Sequence, residues 1–144
     1  MQKKSLHNLD PISSHLNCNK QAIAINNNII TYDKLNSIIN NTINDLSTKN
    51  IATKVALNIS DPYKWIVMFW ALTRMGKEIF LLNYKIKKYS KTILDNFKIK
   101  TIFDDNTEIS ITTVSNKHTL QQHKVDISKT KIYIFTSGTS GEPK

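Results

Sequence analysis

Cysteine occurs once in this 144-residue chain, at Cys18, so no intrachain disulfide can form and no paired-cysteine zinc motif exists. Arginine also occurs once, at Arg74, and every other basic residue among the 20 is lysine. The longest apolar run, Trp65 to Leu72, falls far short of the ~20 residues that a membrane-spanning helix needs. No apolar stretch follows the two lysines of Met1 to Asn8, so the start does not read as a secretion signal. These absences predict a soluble, cytoplasmic protein with no membrane span. The four histidines, His7, His15, His118 and His123, stand in polar, irregular surroundings without ligand spacing or a partnered nucleophile, and read as surface residues.

What is present begins with charge. The formal net charge of +9 invites a nucleic-acid partner, but the lysines are dispersed among abundant Ile and Asn. That trio rising together looks like the bias of an AT-rich genome, whereas base and phosphate readers favour clustered arginine with aromatic platforms. No nucleic-acid partner is expected. The densest basic runs, Lys85 to Lys88 and Lys98 to Lys100, read as solvated surface. With 40% hydrophobic residues and the length of one ordinary domain, the chain has enough apolar material for a core.

Strand and helix periods alternate along it. Ala22 to Ile25 and Ile29-Ile30 flank Asn26-Asn27-Asn28, whose tolerance of positive φ predicts a hairpin. Thr31 is placed to cap a helix of about four turns, on which Leu35, Ile38, Ile39, Ile43 and Leu46 form one apolar stripe. Val55 to Ile59 reads as a buried strand. Asp61 caps and Pro62 opens a second helix, apolar nearly all round and expected to lie between layers, which Gly76 terminates. Ile79 to Leu82 is a strand, Lys88 to Phe97 a helix, Thr101 to Phe103 a strand, Ile109 to Val114 a further candidate strand, and Ile132 to Phe135 the last. This alternation predicts parallel β-α-β units. Residues 1–21 show no steady period and are expected to wrap the surface of a domain formed by residues 22–144.

The last strand runs into Thr136-Ser137-Gly138-Thr139-Ser140-Gly141-Glu142-Pro143-Lys144. Glycines let backbone N–H groups turn toward an anion without obstruction by Cβ, hydroxyls add donors, and lysine adds positive charge; this is the chemistry of a phosphate-holding loop. Two well-known phosphate loops do not fit. The P-loop needs glycines five positions apart with lysine directly after the second, but Gly138 and Gly141 are three apart and Glu142-Pro143 precede Lys144. The dinucleotide fingerprint needs a third glycine.

Phe135 to Lys144 resembles, at every defined position, the Tyr/Phe-Thr-Ser-Gly-(Thr/Ser)-(Thr/Ser)-Gly-x-Pro-Lys signature of the AMP-forming adenylating superfamily. Two upstream elements share the resemblance: Thr31-Tyr32-Asp33-Lys34-Leu35, and the helix-Gly-strand segment Ala71 to Asn83. Order and spacing agree over about residues 22–144, with departures at Lys77 for the usual alanine, Leu81 and Tyr84 for the usual prolines, and Ser140 where threonine is commoner. Tyr32, Leu35 and Gly76 read as packing and turn residues, and only the loop carries chemistry.

The resemblance implies an α/β fold, the N-terminal part of the large adenylating domain, with a mostly parallel sheet, flanking helices and an incomplete edge. It implies a ligase that joins a carboxylic acid to ATP, with magnesium, making an acyl-adenylate and pyrophosphate, after which a thiol such as coenzyme A displaces AMP. Thr136, Ser137, Gly138, Thr139, Ser140 and Gly141 would contact the phosphates, and Lys144, the candidate catalytic residue, would also neutralise the leaving group. The family's downstream adenine, ribose and C-terminal lysine elements have no counterpart before Lys144, so the sequence reads as the amino-terminal piece of a larger enzyme. An acyl-coenzyme A synthetase of the fatty-acid type is the first expectation. The adenylation module of a peptide synthetase, a carrier-protein ligase and a non-catalytic truncated remnant stay open as alternatives.

Overall fold

A computed structural model of the chain describes residues 10–17, 19–25, 27–83, 87–108 and 129–135. A single turn of 3-10 helix at Ser13–His15 precedes a hairpin of β1 (Gln21–Ile25) and β2 (Asn28–Thr31). The strands pair antiparallel, and Asn27 in the turn has φ +65°, a conformation asparagine tolerates better than most residues. Helix α1 (Tyr32–Ser47) starts where Thr31 Oγ1 accepts the Lys34 N–H, and buries Leu35, Ile38, Ile39, Ile43 and Leu46. The expected stripe and cap are both there.

The rest of the chain winds a four-stranded parallel sheet from β3 (Lys54–Asn58), β4 (Glu78–Leu81), β5 (Thr101–Asp104) and β6 (Lys131–Ile134), in the order β5-β3-β4-β6. Helix α2 (Pro62–Arg74) connects β3 to β4, and α3 (Lys87–Phe97) lies between β4 and β5 in the chain. Asp61 Oδ1 accepts the Lys64 N–H at 2.6 Å, and Pro62 stands in the first turn of α2, where a missing N–H costs nothing. At its other end Gly76 adopts φ +67°, which brings its N–H to the Thr73 carbonyl and the Lys77 N–H to the Leu72 carbonyl. This left-handed helix stop favours glycine because it has no Cβ. The strands found at 54–58, 78–81 and 131–134 each begin one residue before the sequence pattern places them, and the one at 101–104 ends one residue later. The candidate strand at 109–114 lies outside the described residues.

Both faces of the sheet are used. Val55, Leu57, Ile79 and Phe103 join a core with α1 and α2, while Ala56 and Phe80 join a smaller one with Ile93 of α3 and Ile99 after it. A strand covered on both sides buries consecutive residues, and Val55, Ala56 and Leu57 are fully buried in sequence. Helix α2 is less enclosed than its composition predicts. Val67, Met68, Ala71 and Leu72 are fully buried, but Trp65, Ile66, Phe69 and Trp70 are only half-buried. Helix α1 packs on one side of it, and large aromatic rings are seldom wholly enclosed.

The segment expected only to wrap the surface is partly core. Ile12 is buried, and Asp10 forms an ion pair with Arg74 whose side chains are 4% and 3% exposed. The Arg74 guanidinium donates to Asp10 Oδ2 at 2.9 Å and to Asn40 Oδ1 at 2.9 Å, and Asp10 also accepts from the Ile12 N–H and the Ser13 hydroxyl. Such a pair is tolerated inside because nearly every donor and acceptor finds a partner. His15 likewise corrects the surface reading: it is half-buried, its ring stacks on Tyr32 at 4.8 Å, and its Nδ1 lies 2.8 Å from the Pro11 carbonyl. His7, His118 and His123 lie outside the described residues.

Candidate functional site

Parallel strands place all their carboxyl ends on one edge, and that edge is where open α/β sheets gather ligands. Here it collects the carboxyl ends of β3, β4, β5 and β6. The predicted phosphate contacts Thr136, Ser137, Gly138, Thr139, Ser140, Gly141 and Lys144 lie outside the described residues. What is described is the strand that leads to them. β6 pairs with β4 from Glu78↔Lys131 to Leu81↔Ile134, so the chain leaves β6 for the loop at the carboxyl edge.

The amino end of β6 is tied by polar groups. Thr130 Oγ1 donates to the Thr73 carbonyl at 2.7 Å, and Lys131 Nζ lies 3.3 Å from Glu78 Oε1. The opposite end is tied by rings. Tyr133 stacks on Phe80 at 4.2 Å, and Phe135 lies 6.3 Å from Phe80 and 5.7 Å from Phe97. The other face of β6 carries Ile132 and Ile134, 45% and 70% exposed.

Across the same edge, a polar knot joins the β3 and β5 turns. Asp105 accepts from the Ser60 hydroxyl at 2.7 Å, from the Ser60 N–H at 2.9 Å and from the Asp61 N–H at 3.3 Å. Lys64 Nζ donates to the Asp105 and Thr107 carbonyls, each at 2.7 Å. The Ser60 hydroxyl, then the Ser60 N–H, hold the Asp105 carboxyl below its ordinary value of 3.8. The sequence carries no sign of this bridge, because a side chain joining two turns 44 or 45 residues apart leaves no local signal. Asn58, at the end of β3, has a buried Oδ1 with no hydrogen-bond partner among the described residues, an acceptor that a donor brought to this edge would satisfy. Among the described residues no cluster of three or more His, Cys, Asp or Glu could hold a metal ion, and no helix is long and apolar enough to cross a membrane.

A doubly wound parallel sheet with its connecting turns at one edge is the core of several nucleotide-handling folds, and the comparisons narrow the class. The chain superposes on the Klebsiella oxytoca NpsA N-terminal subdomain, solved with 3-hydroxybenzoyl-AMSN, with a TM-score of 0.65 and 16% identity, over 94% of this chain and 38% of that one. It superposes on the inhibitor-bound N-terminal domain of FACL13 from Mycobacterium tuberculosis with a TM-score of 0.56 and 17% identity, over 82% of this chain and 37% of that one. At those identities the likeness establishes the fold.

In sequence the chain is 25% identical over 128 residues to the putative long chain fatty acid-CoA ligase VraA of Staphylococcus aureus strain MRSA252, covering 88% of this chain and 28% of that protein. No family model matches the chain. The chain resembles the AMP-forming adenylating superfamily in sequence and carries the fold of an N-terminal adenylation subdomain. It spans little more than a quarter of the length of the curated relatives it matches.

Proposed function

We propose that the chain is the N-terminal part of an acyl-acid ligase of the fatty-acid–coenzyme A type, in which residues 136–144 grip the phosphates of ATP during formation of an acyl-adenylate. One observation carries this. The only stretch with a complete phosphate-binding donor set follows a parallel strand at its carboxyl end, in a chain whose relatives include a putative long chain fatty acid-CoA ligase.

In this reading Thr136, Ser137, Thr139 and Ser140 offer hydroxyl donors, Gly138 and Gly141 expose backbone N–H groups, and Lys144 neutralises charge that builds on the departing pyrophosphate. Donors held in place before reaction act where negative charge develops, which is why they lower the barrier rather than merely bind. In this reading magnesium would be held by the nucleotide phosphates rather than by these residues, and would share the phosphates' charge. Under the same proposal the contacts to carboxylic acid, coenzyme A and the rest of the nucleotide would come from sequence outside these residues, which span 28% of the matched relative's length. The resemblance to the adenylation domain covers residues 22–144, with Asp10 and Ile12 packed into the same core, and no nucleic-acid partner is invoked.

The test is carboxylate-dependent exchange of label between pyrophosphate and ATP, run on the full reading frame with acids of several chain lengths. Exchange is expected with at least one acid, and Lys144→Ala is expected to reduce it about a hundredfold, the scale of losing one oriented electrostatic contact. Absence of exchange with every acid overturns the proposal.

A further inference from the structure

Phe135 is the first residue of the signature and lies one position beyond the last paired residue of β6. Polar bonds fix the amino end of that strand, through Thr130 and Lys131. On the outer face, Ile134 is 70% exposed, and no described residue there holds the carboxyl end. The inner face holds it with rings. Phe97, 38 positions earlier and at the end of α3, sits 5.7 Å from Phe135 with the planes at 61°, and 6.2 Å from Tyr133. Phe80 lies under both, 5.1 Å from Phe97 and 6.3 Å from Phe135. Edge-on and offset arrangements at these separations are the favoured ones for aromatic pairs.

We propose that Phe97 is a positioning residue for the phosphate loop: it closes an aromatic seat with Phe80 and Tyr133 that holds Phe135 and thereby fixes where Thr136 to Gly141 leave the sheet. This rests on the phosphate-binding reading of that loop. A loop anchored at its first residue loses less freedom when it closes on an anion, so the seat contributes to affinity without touching the ligand. Phe80 is fully buried and its loss would disturb the whole core, whereas Phe97 is half-buried and can be changed alone.

The experiment titrates the 144-residue chain with magnesium pyrophosphate and follows the Gly138 and Gly141 amide signals by NMR. Phe97→Met keeps most of the volume and removes the ring, and it is expected to weaken binding about three- to tenfold, one aromatic pair expressed as a binding ratio. Phe97→Tyr keeps the ring and should bind like the parent. Ile93→Val, on the same helix and in the same small core but bearing no ring of its own, should lower the melting temperature and leave affinity unchanged. Unchanged affinity in Phe97→Met, or an equal loss in Ile93→Val, overturns the seat and leaves the loop's assignment intact. A parent chain whose Gly138 and Gly141 signals do not move with pyrophosphate overturns that assignment, and the seat with it.

Discussion

Asp10 and Arg74 stand 64 positions apart and meet in the core, so each is the condition for the other's burial. Removing one leaves an uncompensated charge away from water, the more costly half of such a pair. Asp10→Ala is therefore expected to lower the free energy of unfolding by about 3 to 5 kcal/mol in urea melts, with partial recovery in Asp10→Ala/Arg74→Met. A loss under about 1 kcal/mol would mean that the pair is held by the fold rather than holding it.

Asp105 makes a pH prediction. Its folded carboxyl titrates below 3.8 because hydrogen bonds from Ser60 favour the charged form, so the folded state binds its proton less readily than the unfolded chain does. The stability this supplies is present at neutral pH and disappears as pH falls through the folded value, below 3.8. The gap in urea midpoint between the parent and Asp105→Asn should accordingly close as the medium is acidified from neutrality, and a gap that widens would contradict the sign.

At the scale of elements, helix ends carry specific debts that particular residues settle. Asp61 satisfies the Lys64 N–H at the start of α2, and Asp61→Ala should cost about 1 kcal/mol. Gly76 closes the other end at φ +67°, and the nearest atom to an added Cβ, Lys129 Cβ, would sit at an ordinary 3.5 Å. Gly76→Ala is consequently penalised by backbone strain and not by a clash. A loss of about 1 to 2 kcal/mol is expected, and thermal melts of both variants beside the parent check the two values.

At the scale of the whole molecule, among the described residues β6 forms one edge of the sheet, with the exposed Ile132 and Ile134 on one face and a packed ring cluster on the other. An exposed apolar edge strand is a template for self-association. Ile134→Lys should reduce light scattering by the concentrated chain and leave its melting temperature within about 1 °C of the parent, since the side chain is 70% exposed. Scattering unchanged by the lysine would move the sticky surface elsewhere, with the half-buried Trp65, Phe69 and Trp70 of α2 next in line.

Much of this was open to reading along the chain because its causes are local. Thr31, Asp61, Pro62 and Gly76 act within three residues of themselves, and the stripe of α1 and the runs of β3 and β4 obey periods of 3.6 and 2 or simple continuity. The phosphate-binding proposal for residues 136–144 rests on the same kind of local signal: hydroxyl, glycine and lysine stand side by side in the sequence. Tertiary structure alone decided the strand order β5-β3-β4-β6, the burial of Asp10 against Arg74, the Asp105 bridge between two turns, and the Phe97 ring beneath Phe135. Each depends on groups brought together from 24 or more positions away, and no period or neighbour in the chain encodes a distance of that kind.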